Sequence, residues 1–472
     1  MRPSTSAGAL WQRSAADLIG GYERREFSPV EVLDSVLERL DQINPKINAV
    51  VTLDRKGAIS AAETIEKRWL AREAVGPFGG VPLTVKDNIP VRGMCATWGS
   101  NLYKDYVAAA DELAIARLRD AGAIILGKTN CPEFALQGYT DNLIFGPTRN
   151  PWNLELTPGG SSGGAVAAVS AGIGPIAIGT DGGGSIRRPA SHTGLVGLKP
   201  SRGRVPRFDG FPAILLHLET LGPMARTVAD LCAVMQIITP PDSRDPTSRY
   251  FRAEPFQVEL IRPSRILYVP QFADSPVDPE VRANVAAAAQ IFAELGHSVD
   301  EGKAPFEIEP LAQAWGVIGQ VGLAWLLESK SGWQEKITPA LAEMAANGKA
   351  RTGREYFAAL NTFKALEQSL SVFFTGYDAI LTPTAAALPW PVTEPYPKRI
   401  DGQEAGPRTH AAFTGFVNIS GCPGISVPCD PAVNGLPIGF QLVAAQGKDG
   451  FLCGLAAQFE SVHPWTPIAP LL

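Results

Sequence analysis

Residues 158–189 read PGGSSGGAVAAVSAGIGPIAIGTDGGGSIRRP, which sets Ser161 in one glycine-rich turn and Ser185 in another. Between the turns, 165–171 is alanine-rich enough for a helix and 175–180 reads as a short buried strand, so both serines can reach one side of a fold. A serine hydroxyl is a weak nucleophile until a base takes its proton and N–H groups hold the charge on the attacked carbonyl. Glycine lets backbone N–H groups face a ligand without a side chain in the way. The run Asp181-Gly182-Gly183-Gly184-Ser185 therefore reads as a nucleophile with an oxyanion hole attached, formed by Gly182, Gly183 and Gly184. Such runs also serve as plain turns or phosphate cradles. The Gly-Lys-Ser/Thr ending of a phosphate loop is absent, as is a G-x-G-x-x-G opening a helix.

A base candidate lies upstream. The turn at 76–80 leads into Val81-Pro82-Leu83-Thr84-Val85-Lys86, an apolar strand that ends on a charge and continues as Asp87-Asn88. Most lysines are solvated surface groups. A lysine at the buried end of a strand instead loses affinity for its proton, which yields the neutral amine a base requires.

These segments together resemble the amidase signature family of serine amidohydrolases. The resemblance rests on GGSSGG at 159–164 and GTDGGGSIRRPA at 179–190. It extends in family order to GGVPLTVKDNI at 79–89, GKTNCPEF at 127–134, FGPTRNPWN at 145–153 and GLVGLKPSRGRVP at 194–206, and so to nearly the whole chain. It implies a Ser-cisSer-Lys triad of Lys86, Ser161 and Ser185. It further implies support from Ser162, with its hydroxyl on Lys86, and from Thr180, Asp181 and Arg187 around the nucleophile loop. Ala135, Gln137 and Gly138 would line the acyl pocket. The implied fold is α/β, a single-domain α/β/α sandwich over 1–472 with a mixed central sheet of about ten helix-covered strands.

Within that frame, 14–73 is a helical lead-in, 79–240 the catalytic core and 305–375 a variable helical substrate region that carries Trp315, Trp325 and Trp333. Ser28-Pro29-Val30-Glu31 forms a capping box with proline at the first helical position. Leu33, Val36, Leu37, Leu40 and Ile43 then share one face, and Pro45 is expected to stop the helix. Strands are expected at 50–53, 123–127, 266–269, 297–300 and 379–384, and helices at 58–72, 111–122, 227–238 and 279–295. Residues 414–428 and 435–443 return to strand-like patterns.

Hydrophobic residues make up 45% of the chain and charged ones 19%, which describes a globular protein without the polar bias of disorder. A net charge of −5 and scattered basic residues give no footprint for nucleic acid. The apolar run 165–180 is broken by Gly172, Gly174 and Pro175, so no membrane segment is expected. The N-terminal stretch 1–22 has no apolar core of a secretion signal, and a cytoplasmic enzyme is the default. The six cysteines show no metal spacing and read as buried thiols. No H-E-x-x-H occurs, so neither a metal nor another cofactor is expected. Ser-His-Asp chemistry would fall to His192 by proximity, but the G-x-S-x-G elbow is missing, and His217, His297, His410 and His463 sit in no motif. The expected substrate is a small or aryl amide, or an aryl carbamate, in an open rather than charged acyl pocket, acted on by a monomer or homodimer. The alternative is the glutaminase subunit of a tRNA-dependent amidotransferase, which the same resemblance covers.

Overall fold

In the computed structural model, which describes residues 9–470, eleven strands form one mixed sheet. In chain order the strands are β1 (Val50–Leu53), β2 (Pro82–Lys86), β3 (Ile124–Thr129), β4 (Ile176–Asp181), β5 (Val196–Lys199), β6 (Thr220–Ala225), β7 (Arg265–Tyr268), β8 (Ser298–Glu301), β9 (Ala379–Pro383), β10 (Arg399–Ile400), β11 (Gln403–Glu404), β12 (Gly424–Pro428) and β13 (Gly439–Ala444). Their order across the sheet is β1-β3-β2-β4-β6-β5-β12-β13-β9-β7-β8, while β10 and β11 pair separately as a hairpin. β2 runs parallel to both β3 and β4, with Leu83 opposite Ile176 and Val85 opposite Ile178. Parallel neighbours end at the same edge, so the carboxyl ends of β2 and β4 meet there. The expected α/β/α sandwich is the fold observed. The first eight residues of the segment read for a secretion signal lie outside the described residues.

The lead-in helices form because their caps and stripes agree. Ser28 Oγ accepts from Glu31 N–H while Glu31 returns to Ser28 N–H, closing the capping box on helix Pro29–Ile47. Its buried face, Val32, Leu33, Val36, Leu37, Leu40 and Ile43, packs on Ile124, Leu126, Ala167 and Ala168 beneath the first serine turn. Each such side chain stabilises the fold by about 1.5–3 kcal/mol against exposure. The helix does not stop at Pro45. In its last turn proline removes a single hydrogen bond, and the end comes at Asn48, whose φ of 50° turns the chain away.

The helical region at 305–375 resolves into Glu309–Glu328, Pro339–Ala350 and Gly353–Phe373. By length and composition Glu309–Glu328 could span a membrane, yet half of its apolar window is buried inside the protein, as in a core helix. The C-terminal helix Asp449–Val462, which follows the last strand-like pattern of the sequence, buries Leu452, Leu455 and Phe459. Five of the six cysteines are buried, and all six are free thiols.

Candidate active site

Lys86 ends β2 fully buried. Its Nζ lies 2.7 Å from Ser161 Oγ, 3.0 Å from Thr180 Oγ1 and 3.4 Å from the Thr180 carbonyl oxygen. Burial pushes the amine down to about 8, against the opposing pull of Cys131, Glu219 and Asp181. Asn88 Nδ2 donates to Thr180 Oγ1 at 2.9 Å, which fixes the threonine hydroxyl beside the amine. A second buried lysine, Lys128, is held differently, with its Nζ 3.3 Å from the Asp87 carbonyl oxygen and 3.7 Å from Asp87 Oδ1.

The first serine turn depends on glycine where the chain passes close to itself. A Cβ at Gly160 would stand 2.7 Å from the Tyr139 backbone, and the Gly160–Ser161 peptide is cis. The two serine loops are joined directly, since Ser162 N–H donates to the Ser185 carbonyl at 3.2 Å. The Ser162 hydroxyl does not bond Lys86 as expected. It donates to the Thr180 carbonyl at 3.2 Å, while Ser161 and the Thr180 oxygens surround the amine.

The second turn is built around Asp181. Its carboxylate accepts from Gly184 N–H at 2.6 Å and Ile186 N–H at 3.1 Å, and pairs with Arg187 Nη2 at 2.9 Å, with both side chains fully buried. Burial alone would raise this carboxyl, but the Arg187 guanidinium and its hydrogen bonds outweigh burial and hold it well below the usual carboxylate range. Asn418 Nδ2 donates to both the carbonyl and the carboxylate of Asp181, and Arg187 Nη1 reaches Gln441 Oε1 at 2.6 Å.

One expected oxyanion donor is therefore already committed. Gly184 N–H serves Asp181, whereas the N–H groups of Gly183 and Ser185 have no acceptor among the described residues. The carbonyls of the turn point away to their own donors, Gly182 O to Trp315 Nε1 at 3.1 Å and Gly183 O to Thr414 Oγ1 at 2.8 Å. The Ser185 hydroxyl has no hydrogen bond among the described residues, and Ser185 lines a cavity of about 390 Å³.

Ala135, Gln137 and Gly138 line that cavity, together with Gly182, Gly183, Leu215, Met344 and Trp315. Phe134, by contrast, is a buried core aromatic packed edge-on against Trp98 at 5.4 Å. The expectation of an uncharged wall fails, because Arg188 and Arg408 also line the cavity. Arg188 is legible in the sequence only as the second arginine of the quoted stretch. Arg408 and His410 stand in no motif, and Trp315 is expected only by region. His192 is buried edge-on against Trp390 and is absent from the cavity wall, and burial lowers its imidazole to about 3. A protonated imidazole does not form there near neutral pH.

Known proteins share this architecture over the same length. The Amidase family profile matches residues 31–453. An acylamidase of Rhodococcus erythropolis is 34% identical over 465 residues, covering 97% of this chain and 97% of the relative. A glutamyl-tRNA(Gln) amidotransferase subunit of Symbiobacterium thermophilum is 35% identical over 488 residues, covering 97% and 98%. Among solved structures, a bacterial aryl acylamidase of the amidase signature enzymes superposes with a TM-score of 0.89 at 30% identity, covering 97% of this chain and 98% of that one.

Proposed function

The chain belongs to the amidase family and is a hydrolase acting on amide C–N bonds, and from that premise we propose that it cleaves a small or aryl amide through an acyl-enzyme on Ser185. The observation that carries this reading is the 2.7 Å contact of a fully buried amine with Ser161 Oγ. A neutral amine has two protons to donate and one lone pair. Both Thr180 oxygens serve as its acceptors, which leaves the lone pair for the Ser161 O–H.

In the proposed reaction Ser161 passes its proton to Lys86 and accepts the proton of Ser185 as that oxygen attacks the amide carbonyl. N–H groups from Gly183 and Ser185, beside Gly182, hold the oxyanion, a contribution of about 2.7–4 kcal/mol per donor elsewhere. The proton returns along the relay to the leaving nitrogen, the C–N bond breaks, and water then releases the acid from Ser185 by the same route. Thr180, Asp181 and Arg187 brace the loop. An aryl carbamate follows the same acyl transfer. The isolated chain, as monomer or homodimer, suffices.

The amidotransferase relatives support a second reading, the glutaminase subunit of a tRNA-dependent amidotransferase. Intact-mass analysis after fluorophosphonate treatment and an amide panel separates the two. Labelling of the Ser185 peptide with hydrolysis of aryl amides by the chain alone is expected. Ammonia release from glutamine only after partner subunits are added would favour the second reading, and a label absent from the Ser185 peptide would overturn both.

A further inference from the structure

The cavity beside Ser185 carries two guanidinium groups, and no Asp or Glu is among its lining residues. Arg188 is buried at 4% exposure. Its Nε lies 3.4 Å from the Gly184 carbonyl, its Nη2 3.5 Å from the Gly160 carbonyl and its Nη1 3.0 Å from His410 Nε2. All three partners are neutral, and two stand at the far limit of a hydrogen bond. An arginine donates only, so His410 Nε2 accepts and the imidazole proton sits on Nδ1. Arg408 is solvent-accessible, stacks with its guanidinium carbon 4.0 Å from the Trp315 ring centre and has no ion pair among the described residues.

Some cations of this fold carry an acidic partner. Arg187 has Asp181 at 2.9 Å, Arg207 has Glu112 at 2.6 Å and Lys128 has Asp87 at 3.7 Å. Buried Lys199 and Arg226 bond backbone carbonyls without an ion pair among the described residues, as Arg188 does, but neither of those lines the cavity. Asp181, the nearby acid, is already committed to Arg187, so it does not neutralise the cavity. A desolvated charge without a counter-charge is unfavourable, and a ligand that brings one relieves it. The planar guanidinium fork matches a carboxylate, and the cavity volume suits a small molecule. Gly138 leaves room for Arg188 and its imidazole partner His410, while Arg408 lies in ordinary contact with Gly183. A Cβ at Gly138 would meet His410 Nε2 at 2.5 Å and Arg188 Nη1 at 3.3 Å, and one at Gly183 would meet Arg408 Nη2 at 3.4 Å.

We propose that the substrate of this site is an acidic amide whose carboxylate is held by Arg188 and Arg408 while Ser185 attacks the amide carbonyl. The proposal rests on the amide-hydrolase reading and narrows it. The same chemistry fits two sources, a half-amide of a dicarboxylic acid, with the charge on the acyl part, and an N-acyl aminobenzoate, with the charge on the leaving amine.

The test uses matched pairs with the full chain, succinamate against butyramide and N-acetyl-4-aminobenzoate against acetanilide. In at least one pair kcat/KM is expected to favour the anion tenfold or more, and that pair identifies which side carries the charge. The anion-to-neutral ratio should fall toward one in Arg408→Gln and in Arg188→Gln. The Ser185→Ala protein supplies a reading independent of turnover, since calorimetric titration should show the favoured anion binding at least tenfold tighter than its neutral partner. Equal or weaker binding of both anions, or a ratio that Arg408→Gln and Arg188→Gln leave unchanged, overturns the carboxylate site. Fluorophosphonate labelling of Ser185 keeps the two readings apart: a labelled protein without anion preference sinks only this inference, and an unlabelled one sinks the amidase mechanism beneath it.

Discussion

Lys86 and Ser161 stand 75 residues apart in the chain, yet the amine of one lies 2.7 Å from the hydroxyl of the other in a fully buried site. Burial lowers the Lys86 amine to about 8 from the ordinary 10.5, so below that pH it is protonated and cannot act as a base. The pH profile of kcat/KM for a neutral amide should therefore rise to a midpoint near 8 and stay level above it. Activity is lost as pH falls through that value. Lys86→Met should lower kcat/KM by about 10²–10⁴-fold, the range of a missing general base. A profile flat from pH 6 to 9 would remove Lys86 from the mechanism.

The Asp181–Arg187 pair is the second relationship to test. Removing one partner of a buried ion pair costs about 3–5 kcal/mol, because the other is left charged and alone. Arg187→Met should lower the unfolding free energy by that amount in urea titration, and Asp181→Asn combined with it should recover part of the loss. The Asp181 carboxyl is held below its unfolded value, so its stabilisation is complete above about pH 4 and is lost as pH falls further. Wild-type protein should show this acid loss, and the double variant should show less of it.

The reach of sequence reading has a physical boundary in this chain. Ser161, Ser185 and Lys86 were legible because each stands in a local pattern, a glycine turn or an apolar strand ending on a charge. The strand at Val50–Leu53 and the capping box at Ser28 were legible for the same reason. The cavity wall was not. Trp315 meets Gly182 across 133 residues, and Arg188 meets His410 across 222. Those segments meet only in the folded chain, where the sheet order sets β12 and β13 between β5 and β9. Ser162 and Gly184 failed for a finer reason, because which hydroxyl or N–H is free depends on acceptors fixed by strand register.

Trp315 offers a test of the turn from its far side. Its indole N–H donates to the Gly182 carbonyl, and its ring carries Arg408. Trp315→Phe keeps a ring under the guanidinium but deletes the hydrogen bond. A stability loss of about 1 kcal/mol is expected in denaturant titration, with slower fluorophosphonate labelling of Ser185. Unchanged labelling would mean the turn holds its shape without this bond.

Gly183 and Gly184 are neighbours with opposite expectations. Gly184 has φ of 117°, where a side chain is strained, and a Cβ there would stand 2.2 Å from Thr414 Oγ1 and 2.7 Å from Arg188 Nε. Thr414 cannot withdraw freely, since its hydroxyl donates to the Gly183 carbonyl at 2.8 Å. Gly184→Ala should cost about 2 kcal/mol or more and abolish labelling of Ser185. Gly183 lies outside the left-handed region, and its Cβ would find nothing nearer than 3.4 Å. Gly183→Ala should therefore change stability by no more than about 1 kcal/mol. Its methyl would take space in the substrate cavity beside Arg408 and Trp315, so KM should rise while thermal unfolding stays near wild type. If both variants lose stability equally, crowding rather than backbone conformation governs the turn, and the separation of donor from brace drawn between these two glycines is wrong.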